Sequence, residues 1–236
     1  GAVFFYLRPA QSVLTDLNPA LINVYRCIRD QVEQVIERLV EHQQKHSQDY
    51  YYQIRSLKVS KASFIRTMDI EEAAHLIYLN KTCFNGLYRE NAKGEFNVPL
   101  GRYKNPKICN PDLLRSVSAA LQTARIEARS FETVLDYAQT SQDFVYFDPP
   151  YYPLSPTGNF TAYNRCPFTE RDQVRLKGIV EKLAERGVQV MLSNSDCDFI
   201  YELYSAFNIH KMSAPRAINA NAKKRGKVSE VLVTSY

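Results

Sequence analysis

Four apolar residues, Phe144-Val145-Tyr146-Phe147, run without a break into Asp148-Pro149-Pro150-Tyr151, and this junction constrains the chain more than any other stretch of its 236 residues. A continuous apolar run of that length predicts a strand buried on both faces, as in the middle of a parallel sheet. The two prolines that follow supply no N–H donors and fix both φ angles. Each also holds the residue before it in extended geometry. The chain must therefore leave the strand stiffly, with the Asp148 carboxylate and the Pro149 carbonyl both free to accept. An exocyclic aromatic amine offers two N–H donors to match those two acceptors. Holding both out of the ring plane would move the nitrogen toward sp³ and free its lone pair for attack. Tyr151 offers a face for a base to stack on, worth about 1–3 kcal/mol. A strand-end turn that merely contains two prolines is the alternative reading of the same four residues.

The rest of the chain alternates strands with helices. Ser12-Val13-Leu14-Thr15 reads as a strand ending at Asp16-Leu17-Asn18, and Pro19 opens a helix in which Leu21, Val24, Tyr25 and Ile28 recur at helical spacing. Helix continues over 31–48 and returns at 71–79, 111–123, 169–186 and 199–207. Further strands are expected at 126–128, 188–192 and 228–233. Within 169–186 the apolar positions are Val174, Ile179, Val180 and Leu183. Such alternation predicts an α/β fold with an open, mostly parallel, Rossmann-like sheet covered on both faces. Ligands in such folds bind beyond the carboxyl ends of the strands, which places Asp16, Asp148 and Ser193-Asn194-Ser195 on one rim. Asp16 there suits a carboxylate accepting from two ribose hydroxyls, with a helix cap as the alternative. Between 80 and 106 the pattern changes, because Gly86, Gly94, Pro99, Gly101 and Pro106 interrupt a stretch rich in Asn and aromatics. That is loop and hairpin sequence, too irregular for a crossover, and it reads with its flanking helices as an inserted module.

Composition removes several classes. Hydrophobic residues make up 45% of the chain, yet no apolar run approaches the roughly 20 residues of a membrane span. Gly1 to Leu7 is too short and too uncharged for a signal peptide, so the expected compartment is the cytoplasm. Five cysteines, an odd number with no CxxC pair, speak for reduced thiols and against structural zinc or a disulfide framework. The formal net charge is +5, and Lys211, Arg216, Lys223, Lys224, Arg225 and Lys227 fall in a stretch without acids. Arg102, Lys104 and Lys107 form a second basic stretch. Both suit a polyanion, because each neutralised phosphate releases counterions; lysine-rich solvated loops are the bland alternative.

Asp148-Pro149-Pro150-Tyr151 matches the signature tetrad of amino-group methyltransferases acting on nucleic acid. Residues 80–106, NKTCFNGLYRENAKGEFNVPLGRYKNP, resemble the target-recognition hairpin of the Dam-type DNA adenine methylases (D12 class, α group), which methylate the adenine of GATC. Tyr50-Tyr51-Tyr52-Gln53-Ile54-Arg55, Phe160-Thr161-Ala162-Tyr163 and Arg216-Ala217-Ile218-Asn219 also fit that family, as does the order of the motifs. The resemblance implies a methyltransferase domain over 1–30 and 124–236, interrupted by a DNA-binding insert over 31–123. It implies S-adenosylmethionine as cofactor with no metal, and double-stranded DNA as partner. Asp148, Pro149, Pro150 and Tyr151 would form the catalytic centre. Gly1-Ala2-Val3-Phe4-Phe5 resembles the tail of the family's F-x-G-x-G cofactor loop, and Ser130-Phe131 the segment beside the cofactor's adenine. Gly1, Ala2, Val3, Phe4, Asp16, Ser130, Phe131 and Asp148 are thus the expected cofactor contacts. Because the chain begins at the last glycine of that loop, further residues are expected before Gly1 in the parent protein.

On the DNA side, the resemblance implies that Phe84 wedges into the base stack, that Asn85 lies beside the orphaned partner base, and that Leu87 and Pro99 touch a thymine methyl. Arg89 would read a guanine edge, where a guanidinium pairs bidentately with O6 and N7. Tyr103 would approach the first base pair, Arg102 and Lys104 would hold phosphates, and Asn91 and Asn97 complete the expected contact set. The target adenine must leave the stack to reach Asp148, at a cost of a few kcal/mol. Action as a monomer is expected. Two alternatives stay open: an RNA amino-methyltransferase, and a catalytically silent DNA-binding protein.

Overall fold

The computed structural model describes residues 1–57, 68–91, 93–154, 168–215 and 227–236. It divides into two compact units, Gly1–Phe131 and Glu132–Tyr236.

In the first unit, helix α1 (Ala2–Leu7) precedes strand β1 (Ser12–Asp16), which pairs in parallel with β2 (Ala124–Ala128). Between these strands run α2 (Pro19–Asp30), α3 (Val32–Lys45), α4 (Gln48–Ser56), α5 (Ile70–Thr82) and α6 (Pro111–Leu121). Each of α2, α4, α5 and α6 starts at a side-chain cap, Asn18, Ser47, Asp69 and Asn110 in turn. Pro19 and Pro111 sit just after their caps, where a missing N–H costs nothing. The helical stretch expected over 31–48 is broken at both ends. Gln31 leaves helical geometry and closes α2 through its N–H to Cys27 O, and a new cap at Ser47 starts α4. Ile22, Val24, Ile28, Val35, Leu39, Tyr51, Tyr78 and Ile126 form the core.

Tyr51 is fully buried, and its hydroxyl donates to the Val98 carbonyl at 2.9 Å, which also accepts from Arg55 Nη1 at 3.1 Å. Helix α4 thereby fixes the stretch of the 80–106 segment around Val98. Replacing Tyr51 by phenylalanine is expected to lower stability by about 1–2 kcal/mol, measured by urea unfolding; an unchanged midpoint would show that the bond contributes nothing net.

In the second unit, a short helix α7 (Val134–Tyr137) leads to strand β3 (Phe144–Phe147). Helix α8 (Glu170–Glu185), strand β4 (Gln189–Ser195), helix α9 (Asp198–Leu203), strand β5 (Asn208–Pro215) and strand β6 (Lys227–Thr234) follow. The sheet order is β3-β4-β6-β5, with β3 and β4 parallel and both pairings of β6 antiparallel. Half of the described strand pairings are thus antiparallel, where a mostly parallel sheet was expected. Strand β3 lies at one end of this sheet, and Phe144 is exposed while Val145 and Phe147 are buried. A short apolar run cannot by itself distinguish this alternation from burial on both faces. The buried stripe of α8 is Gln173, Leu176, Ile179, Val180 and Leu183, whereas Val174, expected among the core positions, is exposed.

Candidate active site

The register of β3 against β4 ends at Phe147 opposite Leu192, so Asp148 emerges beside Ser193. Ser193 Oγ donates to Asp148 Oδ1 at 3.2 Å and lies 3.0 Å from the Tyr146 hydroxyl. Burial pushes the Tyr146 hydroxyl above its ordinary pKa, with the Asp148 and Glu230 charges adding to the rise. Among the described residues nothing donates to the Pro149 carbonyl, and Asp148 accepts only from Ser193. All peptide bonds in the described residues are trans.

Tyr151 is half-buried, and its hydroxyl donates to Glu230 Oε2 on β6 at 3.3 Å, an anchor at the far end of the ring axis. Burial raises its pKa to about 12, with Glu230 and Asp148 contributing in the same direction. The shift favours the neutral hydroxyl, which suits a stacking surface better than a general base. On the stacking role that the sequence implies for Tyr151, Tyr151→Phe is expected to keep the methyl-transfer rate within a few-fold, while Tyr151→Ala would lose about 1–3 kcal/mol of base binding. Single-turnover rates of the two variants check this, and equal losses in both would assign a role to the hydroxyl.

In the first unit the described residues of 83–91 and 93–100 run antiparallel as the expected hairpin, bridged at Cys83–Leu100 and Glu90–Phe96. Phe84 N donates to Pro99 O at 2.8 Å and Asn97 N to Arg89 O at 3.0 Å. Phe84–Gly86 is a single 3-10 turn in which Asn85 has φ 55° and Gly86 φ 61°, closed by Asn80 Nδ2 donating to Gly86 O. Phe84 is 37% exposed and Tyr103 47%, aromatic surface beyond what the core of this unit uses. Arg102, Lys104 and Pro99 are exposed as well, and Leu87 is partly so. Arg89 donates through Nε to Asn97 Oδ1 at 2.7 Å and through Nη2 to Asn97 O at 3.1 Å. Asn97 thus orients the guanidinium and leaves Nη1 without a partner among the described residues. Asn91 uses its side-chain oxygen within the hairpin tip, accepting from Lys93 N and Glu95 N.

Also in the first unit, Asp16 ends β1 and Ser130-Phe131 follow the end of neighbouring β2, joined by Arg129 N donating to Asp16 O at 3.1 Å. Asn18, not Asp16, caps α2; Asp16 Oδ1 accepts from Asn18 N at 2.7 Å. Gly1 to Phe5, read as the tail of a loop, instead start helix α1 (Ala2–Leu7, capped at Gly1), where Phe4 is buried in the core against Phe5. A Cβ on Gly1 would meet the Tyr25 hydroxyl at 2.4 Å, so a side chain there would displace the far end of that tyrosine.

Of the long basic stretch, Lys211 is tied to Asp196 at 2.7 Å, an ion pair that holds the Asp196 carboxyl below its usual value. The sequence hid this partner because Asp196 lies fifteen positions away. Arg216, Lys223, Lys224, Arg225 and the motifs Phe160–Tyr163 and Arg216–Asn219 fall outside the described residues. The sequence placed Ser193 and Asn194 on the rim with Asp148 but gave neither a partner, and it missed Gln173 and Glu230, which also shape the tetrad. The one available signal was a glutamine on the apolar stripe of α8. Among the described residues no group of three or more His, Cys, Asp or Glu is placed to hold a metal, and no helix is long and apolar enough to cross a membrane.

The family model of the D12 class N6 adenine-specific DNA methyltransferases matches residues 1–218. The chain is 46% identical over 242 residues to the type II methyltransferase M1.LlaDCHI of Lactococcus lactis subsp. cremoris, an alignment covering all of this chain and 83% of that protein. It is 40% identical over 253 residues to the type II methyltransferase M.MjaIII of Methanocaldococcus jannaschii, covering all of this chain and 85% of the relative. To the DNA adenine methylase of Escherichia coli K12 it is 34% identical over 235 residues, with 98% and 82% covered. With the strand-end acceptor pair, the hairpin and the near-complete match all pointing one way, the chain belongs to the D12 class of N6 adenine-specific DNA methyltransferases.

Proposed function

We propose that this enzyme transfers the methyl group of S-adenosylmethionine to N6 of an adenine extruded from duplex DNA, within GATC. The observation that carries the proposal is the pair of oxygen acceptors at the end of β3, the Asp148 carboxylate and the Pro149 carbonyl. Their role is to take the two N–H groups of the adenine amine and turn its lone pair out of the ring plane. Tyr151, anchored by Glu230, stacks on the flipped base. The bound cofactor supplies an already activated sulfonium methyl, so positioning and electrostatics provide most of the rate and no strong base is needed.

The residues present fit that cofactor. Asp16 and Ser130-Phe131 lie at the carboxyl ends of neighbouring parallel strands, the place where such folds bind nucleosides, and Asp16 would hold the ribose hydroxyls. Gly1, Ala2, Val3, Phe4 and Asp148 complete the proposed contact set. Residues 31–123 would act as the target-recognition insert, with 1–30 and 124–236 as the catalytic domain, working as a monomer on chromosomal DNA in the cytoplasm.

The hairpin supports GATC through its resemblance to that of the Dam-type methylases, and the exposed Phe84 fits a wedge between base pairs. Both type II relatives favour a place beside a restriction nuclease. Methyl transfer to a GATC duplex, to duplexes changed at each position and to transcript RNA tests the proposal. Transfer confined to GATC is the expected result. Comparable transfer to RNA would favour the RNA reading, and none at all, with DNA still bound, the silent one.

A further inference from the structure

Helix α8 buries Gln173 where its stripe calls for an apolar residue, and Asn194 of β4 lies against it; the two are 1% and 0% exposed. Burying two primary amides is costly unless their donors and acceptors are matched. Here they are matched to the tetrad. Gln173 Nε2 donates to the Pro150 carbonyl at 3.0 Å, Asn194 Nδ2 donates to Gln173 Oε1 at 3.1 Å, and Tyr152 N donates to Asn194 Oδ1 at 2.9 Å. The polarity is self-consistent: a carbonyl at one end demands an NH₂, and an N–H at the other demands an oxygen. Ser195 Oγ adds a bond to Tyr152 O at 2.6 Å.

This chain answers a need that the prolines create. Pro149 and Pro150 have no N–H, so the turn cannot be fixed by its own donors on that side. It is held instead at the Pro150 carbonyl and the Tyr152 N–H, the groups that bracket Tyr151, while the Pro149 carbonyl is left to the substrate. We infer that Gln173, acting through its bond to Pro150 and its relay to Asn194, is a positioning residue for methyl transfer that sets the direction of the Pro149 carbonyl.

The inference rests on the two-acceptor reading, so Asp148→Ala is measured beside the test variants. Gln173→Met keeps the volume and the helix but removes both bonds. Gln173→Glu keeps the acceptor and replaces the donor. Each is assayed in the full-length enzyme with cofactor and duplex, with single-turnover rate, burst amplitude, duplex Kd and fluorescence of 2-aminopurine at the target position. The burst amplitude counts active molecules, so a variant that folds poorly still yields a rate for those that fold. The expected result for both is a single-turnover rate lower by about 10- to 100-fold, with Kd and the 2-aminopurine signal within about threefold. Rates within twofold of the parent, or losses wholly in burst amplitude or Kd, would overturn the positioning role. Retained turnover in Asp148→Ala would overturn the two-acceptor reading itself, a distinguishable outcome.

Discussion

Replacing Asp148 by alanine is expected to lower the single-turnover methyl-transfer rate by about 10²–10³-fold or more, the scale set by removal of one preorganised hydrogen-bonding partner at a reacting atom. Affinity for duplex DNA should stay within a few-fold. The hairpin proposed to grip DNA belongs to the first unit and Asp148 to the second, so the substitution leaves the hairpin's own residues unchanged. The carboxylate is already aimed by Ser193 at 3.2 Å, so its loss removes a fixed acceptor rather than a mobile one. Filter binding with a GATC duplex and rapid-quench methylation measure the two quantities. Retained turnover would remove the central physical claim.

The second large effect is expected at Arg89. Its Nε and Nη2 are bonded to Asn97 at 2.7 and 3.1 Å, so the orientation of the guanidinium is set in advance and Nη1 has no partner among the described residues. Arg89→Ala should cost about 1–3 kcal/mol of discrimination at a single base pair and leave the other positions unchanged. Competition among duplexes altered one position at a time reads this directly. A uniform loss across all sequences would make Arg89 a phosphate contact, and a smaller salt slope would then accompany it.

The chemistry was legible in the sequence where backbone constraints are local. Pro149 and Pro150 announce their own rigidity, Pro19 and Pro111 mark helix starts, and glycines at 86, 94 and 101 mark the hairpin. What was hidden depends on partners distant along the chain. Strand β5 carried no signal because its described side chains are exposed or only partly buried; it is held by backbone pairing to β6 from Asn208–Thr234 to Pro215–Lys227. Helix α1 was obscured because its opening glycine resembles the end of a loop, whereas its geometry is decided by the packing of Phe4. Gln173 broke the apolar period of α8 and shifted the apparent face toward Val174, an error that the Pro150 carbonyl explains.

The left-handed pair at the hairpin's leading turn limits how such an enzyme can be retargeted. Asn85 and Gly86 both hold positive φ, a region that asparagine and glycine enter readily and that β-branched side chains enter only with strain. A combinatorial library aimed at new recognition sequences therefore has little freedom at these two sites. Variation belongs at Phe84, Leu87 and Arg89, whose backbones impose no such filter.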